Sequence, residues 1–229
     1  LLQFAKDVNA GKYDNRTNAV VSLEADLDLT GVEWTPIGCT NDEGDVEHYF
    51  SGKFYGNGHS ISNIDYASMY GKEDIGGLFG FLGGGAEISG LTLKGNIDDA
   101  GEGYVFLGTL AGYTDGAKIS DCISEVVFNN HDKYINGTFG LCGYAENPVI
   151  EYCQNKGNIT ITNDVSSFYV GGIAGMVMGT SEIRYCSNSG DIKSYAPQTG
   201  GIAGQISGTA KIINCCSTGK LTPLGKGIT

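Results

Sequence analysis

The segment Thr40-Asn41-Asp42-Glu43-Gly44-Asp45-Val46-Glu47 is the densest group of carboxylates in the sequence. Oxygen ligands from Asp42, Glu43, Asp45 and Glu47 suit Ca2+, a hard cation, although the EF-hand spacing and its closing glutamate are absent. A solvated acidic loop accounts for the same residues and is the favoured reading. Asp26 and Asp28 are alternate residues of one strand and share a face, which suits a cation or simple exposure. His59 follows Asn57-Gly58 in a tight-turn sequence. With no HExxH helix and no Ser or Cys partner, it reads as structural. Gly83-Gly84-Gly85 lacks the Lys-Ser/Thr of a phosphate loop and reads as a corner.

What must position any site is a repeat. The pattern Ile, any residue, a variable third residue, then Leu, Ile or Cys begins at Ile61, Ile88, Ile119, Ile150, Ile183 and Ile212, with spacings of 27, 31, 31, 33 and 29 residues. Glycine-flanked apolar runs precede five of the copies, as in Gly171-Gly172-Ile173-Ala174-Gly175, and an apolar residue such as Ile159 or Ile192 follows. Thr109 and Phe139 stand where such runs carry glycine, and Cys142 where they carry alanine. Three short apolar stretches per repeat, cut by Gly, Asn, Asp and Ser, are too short for helices and describe one coil of a parallel β-solenoid. The expected fold is all-β: a right-handed parallel β-helix of about seven coils with a short N-terminal capping helix.

Stacking at about 4.8 Å per coil turns equivalent positions into columns. The Ile and Leu/Cys columns face inward, so Cys122, Cys153, Cys186 and Cys215 serve as small hydrophobes with free thiols. None of the seven cysteines forms a CxxC pair, which argues against zinc. Asn155 and Asn188 should form a buried amide ladder. Glu87 and Lys118, and Glu182 and Lys211, should be outward neighbours on adjacent coils. Arg184 lies one coil from Glu151 and reads as half of a surface ion pair. Tyr152 and Tyr185 share a column and should stack. Exposed tyrosines can hold sugar rings or a partner protein, or simply cover coil edges.

Leu1, Phe4, Ala5 and Val8 lie on one helical face that Gly11 ends. The domain therefore divides into a capping helix at 1–11, irregular coils at 20–74, regular repeats of about 31 residues at 75–221, and the start of a further coil at 222–229. That last stretch and the Leu1 start suggest a piece of a longer protein. Glycine is frequent (37 of 229 residues) and proline scarce (4), so the chain is neither collagen-like nor a disordered linker. A net charge of −12 disfavours nucleic acid and anionic membrane surfaces as partners. No apolar run is long enough for a membrane-spanning helix.

Thr35-Pro36-Ile37-Gly38, the run from Phe50 through Gly56-Asn57-Gly58-His59 to Ile64, and Gly76-Gly77-Leu78-Phe79-Gly80 resemble the GLUG-motif repeat domains of bacterial cell-surface proteins. Such domains also occur beside IgA1-protease-type metallopeptidases. The resemblance implies a β-helix, an extracellular location on a bacterial cell surface, and further domains of the same polypeptide. It transfers no catalytic residues. The expected function is a non-catalytic structural or adhesive module that contacts a host glycan or protein and needs no cofactor, Ca2+ at the acidic loop excepted. A pectin-lyase-like glycan-active enzyme, or a non-catalytic region of a surface metallopeptidase, is the alternative. Glycoside hydrolysis needs two or more convergent carboxylates. Asp121 has none beside it in its column. Asp98, Asp99 and Glu102, in a corner loop that could fold over a face, are the remaining route to an active site.

Overall fold

Apolar runs of three to five residues, broken by residues that tolerate left-handed backbone, extend and turn rather than coil into helices. The computed structural model describes residues 1–40, 46–65, 75–98, 106–131, 137–162 and 168–224. One helix, α1 (Leu2–Asn9), precedes three stacked parallel sheets. The first sheet is seven strands deep, running from Val20–Ser22 through Lys53–Tyr55, Glu87–Ser89, Lys118–Ser120, Val149–Glu151 and Glu182–Arg184 to Lys211–Ile213. The second and third sheets complete the coil at each level. The level above Phe79 is closed by single bridges at Ile37 and Phe50. Among the described residues this gives six complete coils and two sides of a seventh. A small antiparallel pair, Cys39–Thr40 with Val46–His48, projects from the early coils.

The inward isoleucines of the first sheet, Ile88, Ile119, Ile150 and Ile183, pair in register and are fully buried, while Ile212 on the last described coil is half-exposed. Leu91, Cys122, Cys153 and Cys186 form the next inward column, also buried. One turn further, the Asn155 side chain donates to Asn188 Oδ1 at 2.7 Å, and Asn188 donates to Ser217 Oγ at 3.2 Å. The amides also donate to Gly157 and Gly190 carbonyls, so these buried side chains are hydrogen-bonded, as buried polar groups must be.

Between the first two columns the chain turns a corner with left-handed backbone. Gly90, Asp121, Tyr152, Tyr185 and Asn214 occupy that corner with φ between +52° and +66°. The Ile61 copy of the sequence pattern does not belong to this column: Ile61 stands in the second sheet as the register partner of Leu93, Phe54 is the partner of Ile88, and Asn63 turns the following corner beside Gly95. The Gly90, Asp121, Tyr152 and Tyr185 N–H groups each donate to a carbonyl of the next coil, as Tyr152 does to Arg184 (3.2 Å) and Tyr185 to Ile213 (3.0 Å).

The third sheet corrects one alignment drawn from the sequence. Phe139 does not take the place of a glycine: it is the register partner of Leu107 and Val170, and Gly140 is the partner of Gly108. Its coil is one residue shorter between Gly140 and Cys142, which a gap-free comparison of the runs displaces by one position. The Phe139 ring stacks inside on Phe128, with centroids 3.9 Å apart.

Helix α1 covers the first coil, burying Ala5 and Val8. Phe4 sets its ring edge-on against Phe50 and Tyr13, both at 5.2 Å. Asn9 pins the helix end, accepting from the Gly38 N–H (2.7 Å) and donating to the Pro36 carbonyl (2.9 Å). The helix shields backbone that an open solenoid end would otherwise present to other chains.

Candidate functional site

The charged residues of the first sheet are engaged with one another. Glu151, nearly buried, accepts a two-pronged contact from Arg184 (Nη2 2.8 Å, Nε 2.9 Å) and a third from Lys118 Nζ at 3.1 Å. Arg184 also reaches Glu182 at 3.2 Å, and Lys53 pairs with Glu87 at 3.1 Å. Glu87 and Lys118, like Glu182 and Lys211, are register partners as the repeat requires. Lys53 with Glu87 and Arg184 with Glu151 are register partners as well. Both Arg184 nitrogens converge on Glu151 Oε2, while Lys118 reaches diagonally to Oε1, so one carboxylate ties two coils to its own. An arginine so engaged is a cross-coil clamp.

Hydrogen bonds from Lys118 first, then Arg184, hold the Glu151 carboxyl below its ordinary range, against opposing desolvation. A carboxylate depressed on folding contributes stability above its unfolded pKa, and that contribution is lost as pH falls through its folded value. Glu151→Gln should therefore flatten the acid limb of a stability-versus-pH profile below about pH 4.5. At neutral pH it should cost about 1.5–3 kcal/mol, the range for a charge-assisted hydrogen bond. Urea melts from pH 3 to pH 7 read both; an unchanged acid limb would remove Glu151 from this role.

The other carboxylates serve turns. Asp26 accepts from the Ser60 N–H (2.8 Å) and contacts His59 Nδ1 (3.3 Å). Asp28 accepts from the Thr30 backbone and hydroxyl and from the Asn63 amide. These hydrogen bonds lower both carboxyl pKa values. His59 is thereby tied to a turn. Asp98 accepts from Asn129 at 2.8 Å, whereas Asp99 and Glu102 lie outside the described residues. So do Asp42, Glu43 and Asp45 of the acidic loop, while Glu47 is exposed on the strand Val46–His48. Among the described residues no group of three or more His, Cys, Asp or Glu side chains converges as a metal site would.

A contact the sequence did not suggest joins Asp14 to His48 Nδ1 at 2.9 Å, with the Tyr49 N–H also donating to Asp14. Residues 34 positions apart meet there because the loop after α1 folds onto the projecting strand pair. Two surface depressions lie nearby. One of about 290 Å³ runs along α1 beside Lys6 and Glu33, and one of about 490 Å³ is lined by Tyr49, Ser51, Phe81 and Asp115. Asp115 in the second accepts from Asn147.

The cysteines are free thiols. Cys122, Cys142, Cys153 and Cys186 are buried, Cys39 and Cys215 partly so, and Cys216 is exposed. Burial raises the thiol pKa of Cys142 and Cys153, whereas a hydrogen bond from Cys153 lowers that of Cys186. A thiol-reactive dye should label Cys216 rapidly in the native protein and the four buried thiols only on unfolding. Titration after unfolding without reductant should find about seven thiols; two or three disulfides would contradict the inward column.

Aromatic side chains form two outward groups. On the third sheet Phe81, Tyr113 and Tyr144 occupy one column and meet edge to face, at 4.9 and 5.0 Å. Tyr113 and Tyr144 stand in strands, and the Tyr113 hydroxyl donates to Glu146 at 2.6 Å. Tyr152 and Tyr185 behave differently. Their rings lie parallel within 8°, with centroids 5.1 Å apart, and they are 50% and 47% exposed. Both stand in the left-handed corner, which costs a bulky residue about 1–2 kcal/mol, or roughly 2–4 kcal/mol for two. One aromatic stack returns about 0.5–1.5 kcal/mol. The pair is therefore dearer than the Asn, Asp or Gly found at the same corner in the other coils.

Three parallel sheets, inward Ile and Cys columns and a helical cap define a parallel β-solenoid repeat protein. Residues 166–193 match the family model described as the GLUG motif. That stretch holds one unit, from before the Gly171-Gly172-Ile173-Ala174-Gly175 run to Ile192. The fold is similar to the crystal structure of a candidate immunoglobulin A1 protease from Bacteroides ovatus, with a TM-score of 0.62 and 17% identity. The alignment covers 93% of this chain and 65% of that one, so this chain spans about two thirds of the neighbour's length. No curated protein matches the sequence.

Proposed function

We propose that this chain is a non-catalytic module of an exported bacterial cell-surface protein, a rigid rod that spaces or displays other domains of its polypeptide and carries an adhesive face. The observation that carries this reading is the use of the repeated positions. Inward columns hold Ile, Leu, Cys and Asn, and the outward carboxylates Glu87, Glu151 and Glu182 are taken up by Lys53, Lys118 and Arg184 of the same sheet. A hydrolase needs an acid and a base free to face substrate. Candidate partners are a host glycan or protein and the neighbouring domains of the chain. The GLUG unit and the solenoid shared with a candidate immunoglobulin A1 protease support the surface location and leave room for a peptidase elsewhere in the same polypeptide. Antibodies raised against residues 1–229 should label intact cells of the source bacterium, and protease treatment of those cells should remove the label. Labelling only after lysis would sink the surface assignment.

A further inference from the structure

We infer that Tyr152, Tyr185 and Asp121 form a binding site for a neutral pyranose of a glycan chain. The inference rests on the module reading above and gives its adhesive face a location and a ligand class. The first support is conformational. Five coils turn the same left-handed corner; three do so with Gly, Asp or Asn, and the two tyrosines are adjacent. The preceding energetics leave the pair a net cost to the fold, and strain of this kind is held where function needs the side chain.

The second support is shape. Parallel rings with centroids 5.1 Å apart are offset-stacked, so each covers part of one face of the other. The outer face of Tyr152 looks toward the Asp121 coil and that of Tyr185 toward the Asn214 coil. Asp121 and Asn214 are short, exposed residues, and a tyrosine ring extends well beyond them. Each outer face is thus an open apolar platform with a polar group at its foot. A pyranose has the matching form, with a face of axial C–H bonds to lie on the ring and an equatorial hydroxyl to donate to the Asp121 carboxylate. The coil rise of about 4.8 Å also approximates the length of one sugar unit in an extended chain.

The third support is charge. Asp121 stands among Glu151 and Glu182, whose charges are balanced by Lys118 and Arg184, in a chain of net charge −12. Uronate or sialyl groups would meet an uncompensated carboxylate at Asp121 and the overall negative field. Neutral hexose chains meet neither. The edge-to-face column Phe81–Tyr113–Tyr144 offers no such platform, because its ring faces are occupied by neighbouring rings.

Affinity electrophoresis of the purified chain tests this directly, with gels containing β-glucan, xyloglucan, galactomannan or amylose, and polygalacturonate as the anionic control. At least one neutral polymer should retard the protein, and polygalacturonate should not. Tyr152→Asn/Tyr185→Asn should weaken retardation about tenfold or more while raising the melting temperature, since Asn suits the left-handed corner. Asp121→Asn should weaken retardation with the melting temperature unchanged. Absence of retardation by every neutral polymer, retardation that the double variant leaves intact, or equal retardation by polygalacturonate would each overturn the site. Reducing ends are measured in the same samples: their release would overturn the non-catalytic reading instead, so the two failures are separable.

Discussion

Ile183→Ala is expected to destabilise the protein by about 2–5 kcal/mol, and Lys211→Ala on the adjacent strand by less than about 1 kcal/mol. Ile183 is fully buried in the first-sheet column between Ile150 and Ile212, so truncation leaves a cavity that two rigid coils cannot close. Lys211 is exposed, and its register partner Glu182 is already held by Arg184. Denaturant melts with matched slopes compare the two directly. Equal losses would mean that inward and outward faces have been exchanged.

Gly190→Ala should be comparably damaging for a different reason. Gly157, Gly190 and Gly219 occupy one corner on successive coils, and a Cβ on Gly190 would fall on the Gly157 carbonyl oxygen. Since that oxygen belongs to backbone, relief requires the coils to separate locally, breaking the 2.8 Å hydrogen bond from the Ser189 N–H to the Asn155 carbonyl and its neighbours. A loss of about 3 kcal/mol is expected, at the upper end of the overpacking range. By contrast Gly58→Ala, with open space around its Cβ position, should cost only the left-handed backbone penalty of about 1–2 kcal/mol. Thermal melts of the two variants side by side read the difference. If Gly190→Ala is no worse than Gly58→Ala, close coil approach is not what selects glycine at that corner.

The architecture was legible because a solenoid writes its geometry into the spacing of Ile, Cys and Gly. Register alone put Asn155 against Asn188, Tyr152 against Tyr185, and Arg184 beside Glu151. Three kinds of feature were not legible. A coil one residue short moved Phe139 by a position, since a bulge is visible only in the pairing. The diagonal contact of Lys118 with Glu151 and the contact of Arg184 with Glu182 along its own strand depart from the register, because side-chain length decides them after the backbone is fixed. The His48–Asp14 contact depends on how an irregular loop packs under the cap, for which the repeat gives no rule. The strain at Tyr152 and Tyr185 was hidden too, since the third-position column looks variable until its φ values show one left-handed corner.

The central claim is that this chain is a non-catalytic module, and a turnover screen tests it most directly. The purified chain is incubated with pectins, neutral plant and host glycans, and peptide substrates including immunoglobulin hinge sequences, each with Ca2+ and with chelator. Release of reducing ends, unsaturated uronides and new amino termini is followed. The account predicts none above the protein-free control in any condition. Turnover that is abolished by replacing Asp98, Asp99 or Glu102 would contradict it and make the chain a glycan-active enzyme.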